Sequence, residues 1–345
     1  MIAIPALPAG KFKARLLSAQ VGCVSIRQFF SSPLFEVNVM ATRSAPLNHL
    51  DHLEAESIHI IRETAAQFER PVLLYSMGKD SSVIVRLALK AFAPAPLPFP
   101  LLHIDTGYDF PEMYAFRDSF VKSIGAKLLV HRNEEAIAEG SSPFKYGTRR
   151  CCNLLRTVAL LDGIREGGFD AAIGGARREE ERSRAKERIF SFRDQHGQWE
   201  PRSQRPELWH LYNGKLNRGE SIRVFPLSNW TEVDIWSYIE REDIPLVPLY
   251  YAAKRKVILR GDQYIGYVPG TTGGEPREGE EVTEMVCRFR TLGCIPCSGA
   301  MKSTADTVSG IHREVVAARS SERTSRVMDH EVDGAMELNK REGCF

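Results

Sequence analysis

The sequence predicts an α/β fold, a mostly parallel sheet with helices on both faces. Three observations predict it. Short apolar runs rich in strand formers alternate with segments of helical period. The connections between them are turns containing Gly or Pro. Three of the runs also end in small or polar residues, as strands do when their carboxyl ends face a ligand crevice. The clearest unit begins at Pro71: Val72-Leu73-Leu74-Tyr75 reads as a buried strand. Residues 82–92 carry Val83, Leu87 and Ala91 on one stripe and Val85, Leu89 and Phe92 on another, and read as a helix. Between them lies Ser76-Met77-Gly78-Lys79-Asp80-Ser81, a tight polar turn with one Gly and no Pro. A strand that stops in such a turn and starts a helix makes an anion site, because the helix N-terminus has unpaired N–H groups and a positive dipole end. Gly78 allows close approach to a phosphate, Lys79 adds charge, and Ser76, Ser81 and Ser82 add hydroxyls.

Taken in order, residues 1–45 differ in composition from the rest. No acidic residue precedes Glu36, and Lys11, Lys13, Arg15 and Arg27 lie among Ala, Ser, Leu and Phe, as in organellar transit peptides. The simpler reading, preferred here, is that Met40 is the start and the preceding residues come from an over-long gene call; on either reading the segment is expected to be disordered. Residues 50–68 form a helix on Leu53, Ile58, Ile61, Ala65 and Phe68. Residues 93–100 are a stiff Pro-rich connection, and 99–105 a second strand ending in Asp105-Thr106-Gly107. A helix over 111–124 and a strand over 127–131 follow. Residues 133–150 read as irregular, 153–166 as a helix stopped by Gly167-Gly168, and 169–173 as a strand ending in Gly174-Gly175. Ser76, Asp105 and Gly174 then converge on one crevice. Thr231 and Asp234 form a capping box for a helix continuing through 235–240. The expected domain runs from 46 to 249. Residues 250–345 are a mixed extension, with a long Gly- and Pro-rich loop over 264–281 and a helix over 304–319.

A length of 345 fits about two domains. The net charge of +2 carries no nucleic-acid footprint, and no apolar run approaches the ~18 residues of a membrane span. Seven cysteines without disulfide-like spacing point to a reducing cytoplasm. The run from Gly174 to Arg188 holds six basic and four acidic residues. Taken alone it is a solvated charged segment, but it follows a strand end that faces the anion turn. Its arginines there suit a tetrahedral oxyanion, which a planar guanidinium binds by paired N–H bonds. Cys151-Cys152 and Cys294-x-x-Cys297 together offer four thiols, enough for zinc or an iron–sulfur cluster. Separate buried thiols account for them as well, and the cluster is not favoured. Trp199, Trp209, Trp230 and Trp236 are expected in the core.

The turn is not a Walker A loop, since Leu73 stands where that pattern needs Gly and Asp80 where it needs Ser or Thr. Nor is Ser76 to Lys79 the Ser-x-x-Lys of a penicillin-binding enzyme, whose other two motifs do not occur. The turn resembles the pyrophosphate loop of the PP-loop ATP pyrophosphatases, usually Ser-Gly-Gly-x-Asp-Ser, with Met77 as a departure. Longer stretches resemble the small-subunit family of the heterodimeric bacterial sulfate adenylyltransferases: residues 99–107, 169–194, Gln204-Arg205-Pro206-Glu207-Leu208-Trp209, 220–236, 289–294 and 321–326. The likeness runs from about residue 50 to the end. It departs at Cys151-Cys152, at Cys297 and in the loop around 270–280.

The resemblance implies a Rossmann-like fold of the adenine nucleotide alpha hydrolase kind. It implies adenylyl transfer from ATP to sulfate, giving adenosine 5′-phosphosulfate and pyrophosphate. Ser76, Gly78, Lys79, Asp80, Ser81 and Ser82 would hold the β- and γ-phosphates, and Asp105, Gly174 and Gly175 would lie near adenosine. Arg177 and Arg178 would orient sulfate and, with Lys79, act in catalysis; Arg182, Arg184 and Arg188 are further sulfate candidates. Mg²⁺ would bridge the phosphates, with Asp80 in contact directly or through water, and no separate protein-held metal site is expected. The chain has no Walker A loop of its own, so the family's GTP hydrolysis would occur in a separate large GTPase subunit. The 250–345 extension would contact that partner and cover the active site. Two alternatives stand beside this reading. The cysteines favour an adenylylsulfate or phosphoadenylylsulfate reductase, although the tail Arg341-Glu342-Gly343-Cys344-Phe345 lacks the Glu-Cys-Gly motif of such reductases. A tRNA-thiolating PP-loop enzyme would need a basic RNA-binding face, and none is evident.

Overall fold

The computed structural model describes residues 47–181, 184–271 and 274–318; the expectation for residues 1–45, Arg182 and the segments after 318 lie outside them. Helix α1 (His49–Gln67) starts from a reciprocal cap in which the Asn48 side chain accepts from the Asp51 N–H and the Asp51 carboxylate from the Asn48 N–H. Then come β1 (Pro71–Leu74), α2 (Lys79–Phe92), β2 (Leu101–Ile104), α3 (Pro111–Ser123) and β3 (Leu128–His131). Helix α2 begins three residues earlier than its apolar stripe, so Lys79 and Asp80 form its first turn.

Residues 133–150 are not irregular, as their polar sequence led us to expect. They form α4 (Glu134–Ala138) and α5 (Pro143–Cys152). Each has a local start signal, with the Asn133 side chain accepting from the Ala136 N–H and the Ser142 hydroxyl from the Lys145 N–H ahead of Pro143 at N1. Gly147, at φ 75°, kinks α5. One π-helical stretch (Asn153–Val158) carries the chain into α6 (Ala159–Gly167), which Gly168 ends in the left-handed conformation.

Strands β4 (Ala171–Ile173), β5 (Phe190–Arg193) and β6 (Ser221–Val224) complete a six-stranded sheet in the order β3-β2-β1-β4-β6-β5, parallel except for β5. Alternate residues face opposite sides. Leu73, Leu101 and Ile173 join a large core with α1 and α2, while Val72, Leu102 and Ala172 pack against Leu160 and Ile164 of α6. Burying each such side chain is worth about 1.5–3 kcal/mol. The edge strand β5 is protected: the Glu207 carboxylate accepts from the N–H groups of Ile189 and Phe190, and the Gln204 side chain from that of Phe192. Three of the four tryptophans are in the core, but Trp209 is 83% exposed, carried outward on a short turn where it and His210 both have positive φ. Helix α7 (Glu232–Glu242) has the predicted Thr231–Asp234 box.

From Ala253 the chain changes architecture. Strands β7 (Ala253–Arg260), β8 (Gln263–Gly266), β9 (Val282–Phe289) and β10 (Gly299–Lys302) close an antiparallel barrel in the order β10-β8-β7-β9, followed by α8 (Val308–Ala317). The loop expected over 264–281 therefore starts only after β8, which the two-residue turn Gly261-Asp262 folds back on β7.

Candidate active site

Strands β2 and β3 lie on one side of β1, and β4 and β6 on the other, so the strand order reverses between β1 and β4. Such a switch point leaves a crevice at the carboxyl ends of the strands. A cavity of about 330 Å³ lies there. Its floor is Leu74–Ser76, Leu102–Ile104 and Gly174–Ala176, and its walls come from the start of α2, the α5–α6 connection and the β9–β10 loop.

Ser76, Gly78, Lys79, Asp80 and Ser81 line this cavity, as do Gly174, Gly175 and Arg184. The loop is held from several directions. Tyr250, just before the barrel, accepts a hydrogen bond from the Lys79 N–H at 2.8 Å; the Ser81 hydroxyl donates to the Gly78 carbonyl at 2.9 Å, and the Ser76 hydroxyl lies 3.3 Å from it. Met77 has φ 57° yet its side chain is fully buried. The left-handed conformation costs a non-glycine residue about 1–2 kcal/mol, and burying the thioether chain, worth about 1.5–3 kcal/mol, offsets it. Gly175 lies against the first turn of α2 so closely that a Cβ there would be 3.0 Å from the Asp80 Cβ.

The other expected site residues lie elsewhere. Ser82 is buried behind the loop. Asp105 is buried outside the cavity wall, where its carboxylate accepts from the Gly107 N–H, the Tyr114 hydroxyl and Arg132. Burial would raise its pKa, but these donors outweigh burial and hold the carboxyl below its usual range. Arg177 is 1% exposed and does not line the cavity: its Nε donates to Asp80 at 2.8 Å and its Nη1 to Glu179 at 3.0 Å. The Lys79 ammonium donates to the other Asp80 oxygen at 2.9 Å. Burial opposes ionisation of Asp80, yet these two cations bring its pKa below the ordinary value. Arg178 points away and donates to Asn229, and Arg188 is exposed. Arg177 and Arg178, expected to face an anion, thus lie off the cavity, whereas Arg184, the other described arginine of this run that is buried, lines it and stands 3.2 Å from Glu180.

Several cavity residues had no sequence expectation. His103 and Asp109 are both buried, with 3.6 Å between imidazole and carboxylate; the other ring nitrogen is 3.1 Å from the Tyr75 carbonyl. Burial lowers the His103 pKa and raises that of Asp109. Arg149 and Arg156 enter from the α5–α6 region, and Thr291 and Gly293 from the β9–β10 loop. Reading the β2 strand end four residues further would have reached Asp109; nothing local marks the two arginines. The four cysteines, expected to be separate, come together at one edge of the cavity. Cys151, Cys152, Cys294 and Cys297 surround a second, small void. Burial, reinforced by the neighbouring sulfurs, pushes the Cys151 thiol up to about 12.

The family model of the phosphoadenosine phosphosulfate reductase domain matches residues 70–300. Sulfate adenylyltransferase subunit 2 of Myxococcus xanthus (strain DK1622) is 58% identical over 301 residues, spanning 87% of this chain and 98% of that protein. The same subunit of Shewanella sp. (strain W3-18-1) is 56% identical over 299 residues, again with 87% and 98% coverage. Among solved structures, phosphoadenylyl-sulfate reductase from Candida auris in a phosphate complex aligns at 18% identity and a TM-score of 0.41, covering 60% of this chain and 92% of that one. Among the described residues no helix is long and apolar enough to cross a membrane.

Proposed function

The chain belongs to the sulfate adenylyltransferase subunit 2 family, and on that premise we propose that it transfers the adenylyl group of ATP to sulfate in the cytoplasm, as part of sulfate assimilation. A sulfate oxygen attacks the α-phosphorus, the bond from that phosphorus to the β-phosphate oxygen breaks, and pyrophosphate leaves. The observation that carries the reading is one cavity that gathers the start of α2, Gly174-Gly175 and Arg184. Ser76, Gly78, Lys79 and Ser81 bind the β- and γ-phosphates, where charge grows as pyrophosphate departs. Gly174 and Gly175 let the adenosine side come close to the backbone. Arg184, with Arg149 and Arg156, receives sulfate.

Arg177 is a positioning residue in this scheme: it orients Asp80 and, through Glu179, the start of α7, whose Glu232 N–H donates to the same Glu179 oxygen. Both Asp80 oxygens already accept from cations, so Asp80 does not fit as a direct Mg²⁺ ligand. Mg²⁺ would enter with ATP as part of the substrate and would supply neutralisation of phosphate charge there. Joining two anions in an anhydride is uphill, and we assign the driving force to GTP hydrolysis in a separate large subunit. We assign the partner contact to the 250–345 extension, and its role in covering the site is supported by the β9–β10 loop, which lines the cavity wall.

The test is pyrophosphate release from ATP, with and without sulfate, partner, GTP and thiol reductant. Sulfate-dependent release that rises with partner and GTP and ignores the thiol is expected. Thiol-dependent sulfite formation from adenosine 5′-phosphosulfate, with no pyrophosphate release, would replace this reading with a reductase.

A further inference from the structure

Adenylyl transfer accounts for the loop, the glycines and the arginines of the cavity, but not for His103 and Asp109. Both line the cavity, from β2 and from the segment after it, and both are buried. The His103 tautomer follows from its partner. Nδ1 lies 3.1 Å from the Tyr75 carbonyl, which can only accept, so Nδ1 carries the ring proton. Burial disfavours a second proton on the ring. Nε2 is then an acceptor, and it is buried with no hydrogen-bond partner among the described residues. Opposite it stands the Asp109 carboxyl, 3.6 Å away and beyond hydrogen-bond range. Arg156 comes no closer to that carboxyl than 4.0 Å. Asp109 offers an acceptor oxygen whether or not it holds a proton. Two buried acceptors thus stand side by side at the cavity. A buried acceptor without a donor is costly, so the pair suits a ligand that brings two donors.

A divalent cation would also find acceptors here, since ligand atoms of His103, Asp105 and Asp109 lie within 4.8 Å of one another. The surroundings decide against it. The Asp105 carboxylate is already taken by the Gly107 N–H, the Tyr114 hydroxyl and Arg132, and Arg117 and Arg156 both face Asp109. A neutral group with two hydrogen-bond donors fits such a place better than a cation. ATP has two candidates, the 6-amino group of the base and the vicinal hydroxyls of the ribose. Position separates them. Arg156, assigned above to sulfate, stands 4.0 Å from Asp109, so the pair lies beside the reacting end of the nucleotide. The ribose carries the α-phosphate, whereas the base amine lies at the far end of the nucleoside. Two acceptors 3.6 Å apart also match two hydroxyls on neighbouring carbons, each donating once.

We propose that His103 Nε2 and the Asp109 carboxyl accept hydrogen bonds from the two ribose hydroxyls of ATP, one each, and make the site selective for ribonucleotides. This deepens the adenylyl-transfer reading and rests on it. No bond is made or broken at the pair. It selects the sugar and fixes it, so that the α-phosphorus is held where sulfate can reach it.

The experiment is titration calorimetry of the full chain with ATP, 2′-deoxy-ATP and 3′-deoxy-ATP. Purine riboside triphosphate, which lacks the 6-amino group, tests the base. Each deoxy analogue should bind the wild type at least about tenfold more weakly than ATP, because it leaves one buried acceptor without a donor. Asp109→Ala removes a buried carboxyl from a site with no close partner, so the fold should survive. This variant should bind ATP about tenfold more weakly and cease to distinguish it from one of the deoxy analogues. His103→Phe, which keeps a ring in place, should cease to distinguish ATP from the other. A purely structural role would weaken all the nucleotides in parallel, and that result would overturn the proposal. Equal wild-type affinity for ATP and both deoxy analogues would overturn it too; sulfate-dependent pyrophosphate release by the same protein would show that the transferase reading survives. Variants that lose discrimination only against purine riboside triphosphate would assign the pair to the base, which also overturns the proposal.

Discussion

Replacing Gly175 with Ala should damage the phosphate loop without touching a charged group. A Cβ at 175 would stand 3.0 Å from the Asp80 Cβ and 3.4 Å from both the Asp80 carbonyl carbon and the Ser81 nitrogen. Carbon atoms rest about 3.5–4.0 Å apart, so the closest contact falls short by about 0.5–1 Å. Two of the three atoms are backbone, and no rotamer change relieves them. The end of β4 and the start of α2 must move apart instead, at a cost of about 1–3 kcal/mol. For a unit of this size that is a fall in melting temperature of a few degrees up to about 12 °C. The larger effect should be on rate. The moved atoms are those proposed to hold the departing pyrophosphate, and a misplacement of about 1 Å can cost about 100-fold. Calorimetric melting and sulfate-dependent pyrophosphate release, assayed with the partner and GTP, should show a folded protein with turnover reduced about 10- to 100-fold. A melting temperature within about one degree of wild type and unchanged kcat/KM would refute the claim that this strand end presses on the loop.

Arg184→Lys keeps charge but loses the planar fork, so apparent KM for sulfate should rise about tenfold with little change in melting temperature. Arg177→Met should do the reverse: it strips Asp80 and Glu179 of their shared cation and should cost about 3 kcal/mol or more of stability, and an effect confined to sulfate KM would return Arg177 to the sulfate pocket. Asp105 has a depressed folded pKa, so its stabilisation is fully present above the unfolded carboxyl value and is lost as pH falls from there through the lower folded value. Asp105→Asn should therefore flatten the stability curve between about pH 5 and pH 2; an unaltered acid limb would show that its donors do not hold the carboxylate.

Strands β1 to β4 were legible because each is a short apolar run closed by a turn residue, whereas in β5 (Phe-Ser-Phe-Arg) and β6 (Ser-Ile-Arg-Val) polar residues interrupt the run and no strand was read there. The loop from Ser76 to Ser81 was legible for the same local reason. The barrel was not, although Gly261-Asp262 between apolar runs is a hairpin signal; the Gly and Pro residues that follow outweighed it. Arg149 lies in a polar stretch with no periodicity and Arg156 in a segment read only as a helix, and only the return of the chain over the strand ends brings them to the cavity. Arg177 was misread because sequence shows the charge and not its company. A guanidinium beside two glycines suits an oxyanion until Asp80 and Glu179, 97 positions away and two positions away, are seen to occupy it. Trp209 failed the rule that large aromatics are buried because a left-handed turn carries it outward.

Met77 gives the nucleotide loop a rigidity that a glycine would not. With a buried side chain anchoring a left-handed backbone, the loop has its shape before any ligand arrives, so freezing it is not deducted from ATP affinity. Ordering one backbone residue costs about 1–2 kcal/mol of entropy at room temperature. In this chain that loss falls on folding, and the encounter with ATP resembles a key entering a cut lock. Met77→Gly would free the anchor and move the loss to the binding step. Titration calorimetry should then record a more unfavourable binding entropy for the variant, about 1–2 kcal/mol in TΔS, with the enthalpy of the phosphate contacts retained.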